Sequence, residues 1–185
     1  MLGDFEVAIG AGVESMSNAL YALPGARWGQ KMGPGQMIDL MISGLTDPFG
    51  AGHMGMTAEN LADKYNISRE DQDALAVTSH QNAARAQTEG RFDSQIVPVE
   101  IKTRKGVTVF DKDEHVRADI SIEKLAGMRP AFKKDGSITA GNASGINDGS
   151  SAVVLMEKQA AEARGLKAMA KLVAYTHAGV EPSIM

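Results

Sequence analysis

The residues best equipped for chemistry lie in the run Thr139-Ala-Gly-Asn-Ala-Ser-Gly-Ile-Asn-Asp-Gly149. Asn142, Ser144, Asn147 and Asp148 sit there among glycines and alanines. Small residues let a backbone approach a ligand closely, and the amides and hydroxyls offer it hydrogen-bonding partners. The same run also reads as a tight connection, with Asn147-Asp148-Gly149 as a plain turn. A second concentration is basic: Lys102, Arg104 and Lys105, then Arg117, then Arg129, Lys133 and Lys134. It reads either as a solvated face or as a phosphate-binding rim, because the guanidinium fork matches phosphate oxygens. Met128 and Phe132 lie beside it. A ligand with phosphates at one end and a long, mostly neutral arm suits that mixture.

Other chemistries are excluded or weakly signalled. The chain has no cysteine, so disulfides, thiolate nucleophiles and cysteine–zinc sites are absent from these 185 residues. The four histidines, at 53, 80, 115 and 177, show neither H-E-x-x-H nor H-x-x-x-H spacing, and no metal site is expected. His53 follows a glycine-rich loop at a helix start, where it is either structural or meets a ligand. His80, inside a helix, reads as solvated, and His177 as a cap on a sheet edge. Ser121-Ile-Glu-Lys124 has the S-x-x-K spacing of an acylating pair but lacks the companion motifs, so it reads as chance. Gly10-Ala-Gly12 is half of a dinucleotide fingerprint without its third glycine.

The elements that must position these groups follow from periodicity. Phe5, Val7 and Ile9 alternate with Glu6 and Ala8, which predicts a strand. Residues 18–36 read as an extended Pro/Gly loop, followed by a short apolar helix from Met37 that ends at Gly44. A helix is expected over 55–65, with Ala58, Leu61, Ala62 and Tyr65 on one side. Ser68 is a good N-cap, and Glu70, Asp71 and Asp73 complement the helix dipole behind it. Leu75, Ala76, Ser79, Ala83 and Ala86 make a small-residue stripe on that helix, and Gly90 is its natural stop. Ile96–Ile101, interrupted by Pro98, and Val107–Phe110 read as strands joined at Lys105-Gly106. A short helix is expected near 121–127, a buried strand over 151–156, a helix over 157–164 and a strand over 170–176. The strands at 5–12, 151–156 and 170–176 read as sheet core, with a mixed lobe inserted between them.

Composition bounds the class. Apolar residues make up 43%, charged residues 23%, and the formal net charge is −4, as in an ordinary soluble globular protein. That balance suggests no partnership with nucleic acid or a membrane surface. No apolar stretch reaches the roughly 18–20 residues needed to span a bilayer, and no secretion signal is visible. A cytoplasmic location fits. Both ends read as cuts through a larger fold.

Seven segments, in one order, resemble thiolases. They are Gly10-Ala-Gly-Val-Glu-Ser-Met-Ser17, Gly44-Leu-Thr-Asp47, His53-Met-Gly-Met-Thr-Ala-Glu-Asn60, Ser68-Arg-Glu-Asp-Gln-Asp73, Gly90-Arg-Phe92 with Ile96-Val-Pro98, Met128-Arg-Pro-Ala-Phe132, and Thr139 to Gly149. The resemblance is to acetyl-CoA acetyltransferases and 3-ketothiolases, and it runs over nearly the whole chain. It implies an α/β fold, a partial layered thiolase architecture of core strands and helices with an inserted mixed α+β loop domain. Residues 1–17 would end the first thiolase half, 18–139 would form the loop domain and 140–185 would begin the second half.

The resemblance also implies coenzyme A as substrate, held by the loop domain. Arg117 would lie against the adenine end, Phe132 would line the pantetheine tunnel, Ser144 would hydrogen-bond the pantetheine arm and Ala140 would stand at the same wall. Leu45, His53 and Met54 would border the tunnel or acyl pocket, with Met185 near the thioester. Lys124 stands where several relatives carry serine near the nucleotide. The family's nucleophilic cysteine would lie upstream of residue 1. Its G-H-P, N-E-A-F and C-x-G-G-G motifs would lie beyond Met185. The expectation is therefore the central part of an acyltransferase, inactive alone and, at full length, a homo-dimer or tetramer acting on acyl-CoA. A non-catalytic coenzyme A-binding or oligomerisation module is the alternative from another class.

Overall fold

A computed structural model describes residues 5–185. In chain order its strands and helices are β1 (Val7–Ser15), β2 (Tyr21–Ala22), β3 (Ile38–Asp39), α1 (Leu40–Gly44), β4 (Thr46–Asp47), β5 (Gly52–His53), α2 (Met54–Tyr65), α3 (Arg69–Thr88), β6 (Val99–Thr103), β7 (Gly106–Phe110), α4 (Ile122–Ala126), β8 (Asp148–Met156) and α5 (Lys158–Ala163). They fall into two compact units. One comprises the described chain through Asp47 together with Ile146–Glu181; the other comprises Pro48–Gly145 with Pro182–Met185.

In the first unit β1 and β8 form an antiparallel pair in register from Val7↔Met156 to Ser15↔Asp148. The strand expected from Phe5, Val7 and Ile9 thus continues through both glycines to Ser15. The expected burial of these core strands does not occur. Ile9 and Val13 on β1, and Val153 and Val154 on β8, are well exposed, because two strands alone cannot cover their own faces. The strand expected over 170–176 is also absent, and that segment has no regular structure. An apolar run becomes a strand only when a neighbour takes up its backbone hydrogen bonds. The helix expected from Met37 starts instead at Leu40, where the Asp39 carboxylate accepts from the Met41 N–H at 2.9 Å.

Asp148, at the start of β8, is occupied structurally. It accepts the Ser17 N–H at 2.9 Å and the Ser17 hydroxyl. The Ser17 hydroxyl first, then the Ser17 amide, hold its carboxyl below the ordinary 3.8. Because the folded value is depressed, this clip contributes above the unfolded value and is lost as pH falls through the folded one. Ser17→Ala is expected to move the Asp148 titration midpoint upward toward 3.8. The Asp148 carboxyl carbon shift, followed against pH, reads this, and an unmoved midpoint contradicts it.

The second unit is built on two helices. α2 is capped by His53, whose Nδ1 accepts the Gly55 N–H at 3.0 Å, and ends at Asn66 in the left-handed region with φ 53°. α3 starts as expected, with Ser68 Oγ accepting the Asp71 N–H at 3.0 Å, and Gly90 follows it at φ 68°. The buried faces match those expected only in part, through Ala62 on α2 and Ala76 on α3. α2 buries Gly55, Thr57, Glu59 and Ala62, while Tyr65 is exposed. α3 buries Asp73 and Val77, one turn apart, while Leu75 is exposed. Val77, Ile120 and Leu125 form the apolar core, with Ala76 and Met128 packed against it. A hairpin of β6 and β7 turns at Arg104-Lys105, one residue before the expected Lys105-Gly106, with Gly106 already paired to Thr103, and its ladder begins at Val99, just past Pro98.

Candidate functional site

Three residues that sequence reading did not place at the site, Glu59, Asp73 and Arg69, frame the start of the 139–149 run. The Glu59 carboxylate is only 2% exposed. It accepts the Ser137 N–H at 2.9 and 3.0 Å on its two oxygens, the Ser137 hydroxyl at 3.1 Å and the Ile138 N–H at 2.9 Å. Asp73, on α3, pairs with Arg69 Nε at 2.7 Å and accepts Asn142 Nδ2 at 2.9 Å. Asn142 Oδ1 in turn accepts the Thr139 N–H at 2.8 Å, and its Nδ2 also donates to the Ser137 carbonyl at 3.0 Å. Arg69 completes the frame by donating to the carbonyls of Leu125 and Met128. Asn142 therefore spends its amide inside the fold rather than offering it to a ligand. Glycines in the run and just before it have a packing role as well. A Cβ on Gly136 would strike the Glu59 carboxylate, and one on Gly141 would strike Leu125.

The clamped loop forms one wall of a pocket of about 70 Å³. His80 on α3, His115, Arg117, Asp119 and Ile120 from the following loop, Lys124 on α4, Met128, Ala140, Gly141 and Ala143 line it. Arg117, Lys124 and Ala140 are thus brought together. Ser144 is exposed and lies between Ala143, which lines the pocket, and Gly145, where an added Cβ would meet the His115 ring. Of the basic cluster, Arg117 lines the pocket, whereas Lys133 is tied to Asp63 at 2.8 Å, which raises its ammonium above the ordinary lysine value. Lys124 Nζ meets Asp119 Oδ2 at 2.6 Å. That ammonium, by hydrogen bond and then by charge, holds the Asp119 carboxyl below its usual range, with a smaller contribution from Arg117. His80, expected to be solvated, is half-buried, and its Nδ1 accepts the Arg117 N–H at 3.2 Å. A pocket with two cationic side chains and a wall of alanine and methionine can take a phosphate-bearing, partly apolar ligand.

A second group gathers at the N-terminus of α2. The His53 and Phe132 rings stack at 4.9 Å and 21°. A Cβ on Gly55 would fall into the Phe132 ring, so glycine admits the aromatic there. Thr57 Oγ1 lies 2.8 Å from the Met54 carbonyl and 2.6 Å from that of Met185, and Asn60 Nδ2 donates to the Ser183 carbonyl at 2.7 Å. His53, Met54, Phe132 and Met185 are thus neighbours around one helix end. His53 is structural as a cap and also presents a stacked ring. Residues 131–142 link the two groups, running from Phe132 past the Ala131 N–H to Ile138 carbonyl bond at 2.8 Å to Ala140 in the pocket wall. Leu45, the C-cap of α1, belongs to the first unit. His177, expected as a sheet-edge cap, lies in irregular chain with its ring edge-on to Tyr175 at 6.3 Å. Among the described residues no three of the His, Asp and Glu side chains cluster as metal ligands, and no helix is long and apolar enough to cross a membrane.

The buried carboxylates were missed because Glu59 and Asp73 look like ordinary solvated helix residues. Their partners lie 78 and 69 positions away in sequence. A usable signal was present, since both fall inside segments quoted for the resemblance, His53–Asn60 and Ser68–Asp73.

Comparison with known proteins bears on this architecture. Residues 1–159 match the family description "Thiolase, N-terminal domain". The chain is 54% identical to a beta-ketothiolase of Cupriavidus necator over 186 aligned positions, covering 100% of this chain and 47% of that protein. The crystal structure of the Bacillus anthracis acetyl-CoA acetyltransferase superposes with a TM-score of 0.90 at 53% identity, over 99% of this chain and 46% of that one. Human mitochondrial 3-ketoacyl-CoA thiolase in complex with CoA gives a TM-score of 0.87 at 38% identity, over 99% of this chain and 45% of that one. The chain spans about half the length of the relatives it matches. Its helices and strands are those of a partial thiolase fold, and the chain belongs to the thiolase family.

Proposed function

We propose that this chain is the coenzyme A-holding part of an acetyl-CoA acyltransferase whose nucleophile lies outside these 185 residues. The observation that carries the reading is the convergence of Arg117, Lys124 and Ala140 on one pocket beside Ser144, in a thiolase-family chain without cysteine. Arg117 meets the adenine and phosphate end of the carrier. Lys124, held by Asp119, turns its remaining donors to a phosphate, where several relatives would place a serine. Ser144 donates to the pantetheine arm, Ala140 and Phe132 line its path, and His53, Met54 and Met185 border the acyl end. No metal takes part.

The chemistry at full length follows from the thioester. A cysteine thiolate attacks the carbonyl carbon, the coenzyme A thiolate leaves, and an acyl-enzyme remains. A base then removes the α-proton of a second acetyl-CoA, and the carbanion displaces the cysteine to form the new carbon–carbon bond; reversal cleaves a 3-ketoacyl-CoA. An oxyanion hole stabilises each tetrahedral intermediate. The full-length enzyme is a cytoplasmic homodimer or homotetramer. The 185-residue chain is expected to give no acetoacetyl-CoA thiolysis above background, and measurable turnover by the purified chain overturns this reading. The lack of cysteine equally favours a second reading, a non-catalytic coenzyme A-binding or oligomerisation module.

A further inference from the structure

We propose that His80 is a positioning residue for Arg117, setting the direction from which that guanidinium meets the phosphate-bearing ligand; the inference rests on the coenzyme A reading above. Arg117 lies in residues 111–121, which have no helix or strand to hold them. Its guanidinium feels the Asp119 carboxylate through space but has no hydrogen bond to hold it among the described residues, so its direction depends on where its backbone is fixed. Two contacts from α3 supply that fixation. His80 Nδ1 accepts the Arg117 N–H at 3.2 Å, and Gln87 Nε2 donates to the Asp113 carbonyl at 3.3 Å. The two side chains are seven residues apart, two turns along one helix face. α3 is itself anchored through Asp73 to the clamped loop, so the same frame that places Ala140 also places Arg117.

The chemistry specifies the residue. An acceptor is required at Nδ1, so His80 carries its proton on Nε2. The His115 ring stands 6.1 Å away at 36° and rests against Gly145, closing the other side of the segment. Leucine at position 80 would keep bulk and remove the acceptor. Asparagine would return an oxygen close to the place of Nδ1.

Calorimetric titration of coenzyme A into the 185-residue chain tests this, with His80→Leu, His80→Asn, Arg117→Ala and the Arg117→Ala/His80→Leu double variant. His80→Leu is expected to weaken binding about tenfold, the scale of one lost hydrogen bond, while His80→Asn stays within about twofold of the parent. In the Arg117→Ala background, His80→Leu is expected to cost almost nothing more, because it acts through Arg117. Unchanged affinity in His80→Leu overturns the proposal, as does a full tenfold loss in His80→Asn or an undiminished loss on top of Arg117→Ala. If the parent chain fails to bind coenzyme A, the coenzyme A reading falls and takes this proposal with it. If the parent binds but His80→Leu is silent, only this proposal falls.

Discussion

Replacing Glu59 by alanine is expected to lower the stability of the α2–α3 unit by about 3–5 kcal/mol. The side chain is almost fully buried and accepts the N–H groups of Ser137 and Ile138 and the Ser137 hydroxyl. Alanine leaves those donors facing a void, and each stranded buried donor costs roughly 1–3 kcal/mol. Glutamine keeps the shape but turns an amide NH₂ toward N–H donors, so Glu59→Gln is expected to cost about half as much. A folded domain has on the order of 5–15 kcal/mol in total, so the alanine variant sits near its unfolding limit. Urea unfolding followed by far-ultraviolet circular dichroism reads this unit in particular, because α2 and α3 are the two longest helices and both belong to it. An unmoved midpoint in Glu59→Ala would show that the carboxylate does not hold the loop.

Asp73→Ala is expected to cost about 3–4 kcal/mol by a different route. Asp73 is 3% exposed and faces the Arg69 guanidinium on one oxygen and the Asn142 amide on the other. Removing it leaves a mostly buried cation without its carboxylate and frees the amide that ties the loop to α3. Breaking a buried pair from one side costs more than replacing both partners, because the remaining charge stays desolvated. The double variant Arg69→Met/Asp73→Leu is therefore expected to be more stable than Asp73→Ala alone. Equal or greater loss in the double variant would mean that the ion pair is not what the alanine variant disturbs.

These two carboxylates show where sequence reading succeeds and where it stops. Local chemistry was legible: Ser68 caps α3, Gly90 ends it, the β6–β7 hairpin turns within one residue of the expected place, and α2, α4 and α5 lie where they were expected. Those features depend on neighbours within a few residues. The strand expected over 170–176 failed because its apolar residues have no partner strand among the described residues. Asn142 and Asp148 looked like ligand-facing polar groups, yet their partners Asp73 and Ser17 are remote in sequence and claim them for the fold. His53 was open between a structural and a ligand-facing role, and its ring nitrogen caps α2 while its face stacks on Phe132. Arg117, Lys124 and Ala140 were named together only through the thiolase resemblance, and the structure lines one pocket with all three. His80 was not legible there, because only the return of residues 111–119 across α3 brings it beside Arg117.

The proposal that this chain cradles coenzyme A is tested most directly by calorimetry of the unmodified 185-residue chain with coenzyme A. The account predicts saturable, roughly one-to-one binding that is weakened by Arg117→Ala. No heat of binding at millimolar ligand from a chain with native helix content, or binding indifferent to Arg117, would contradict it.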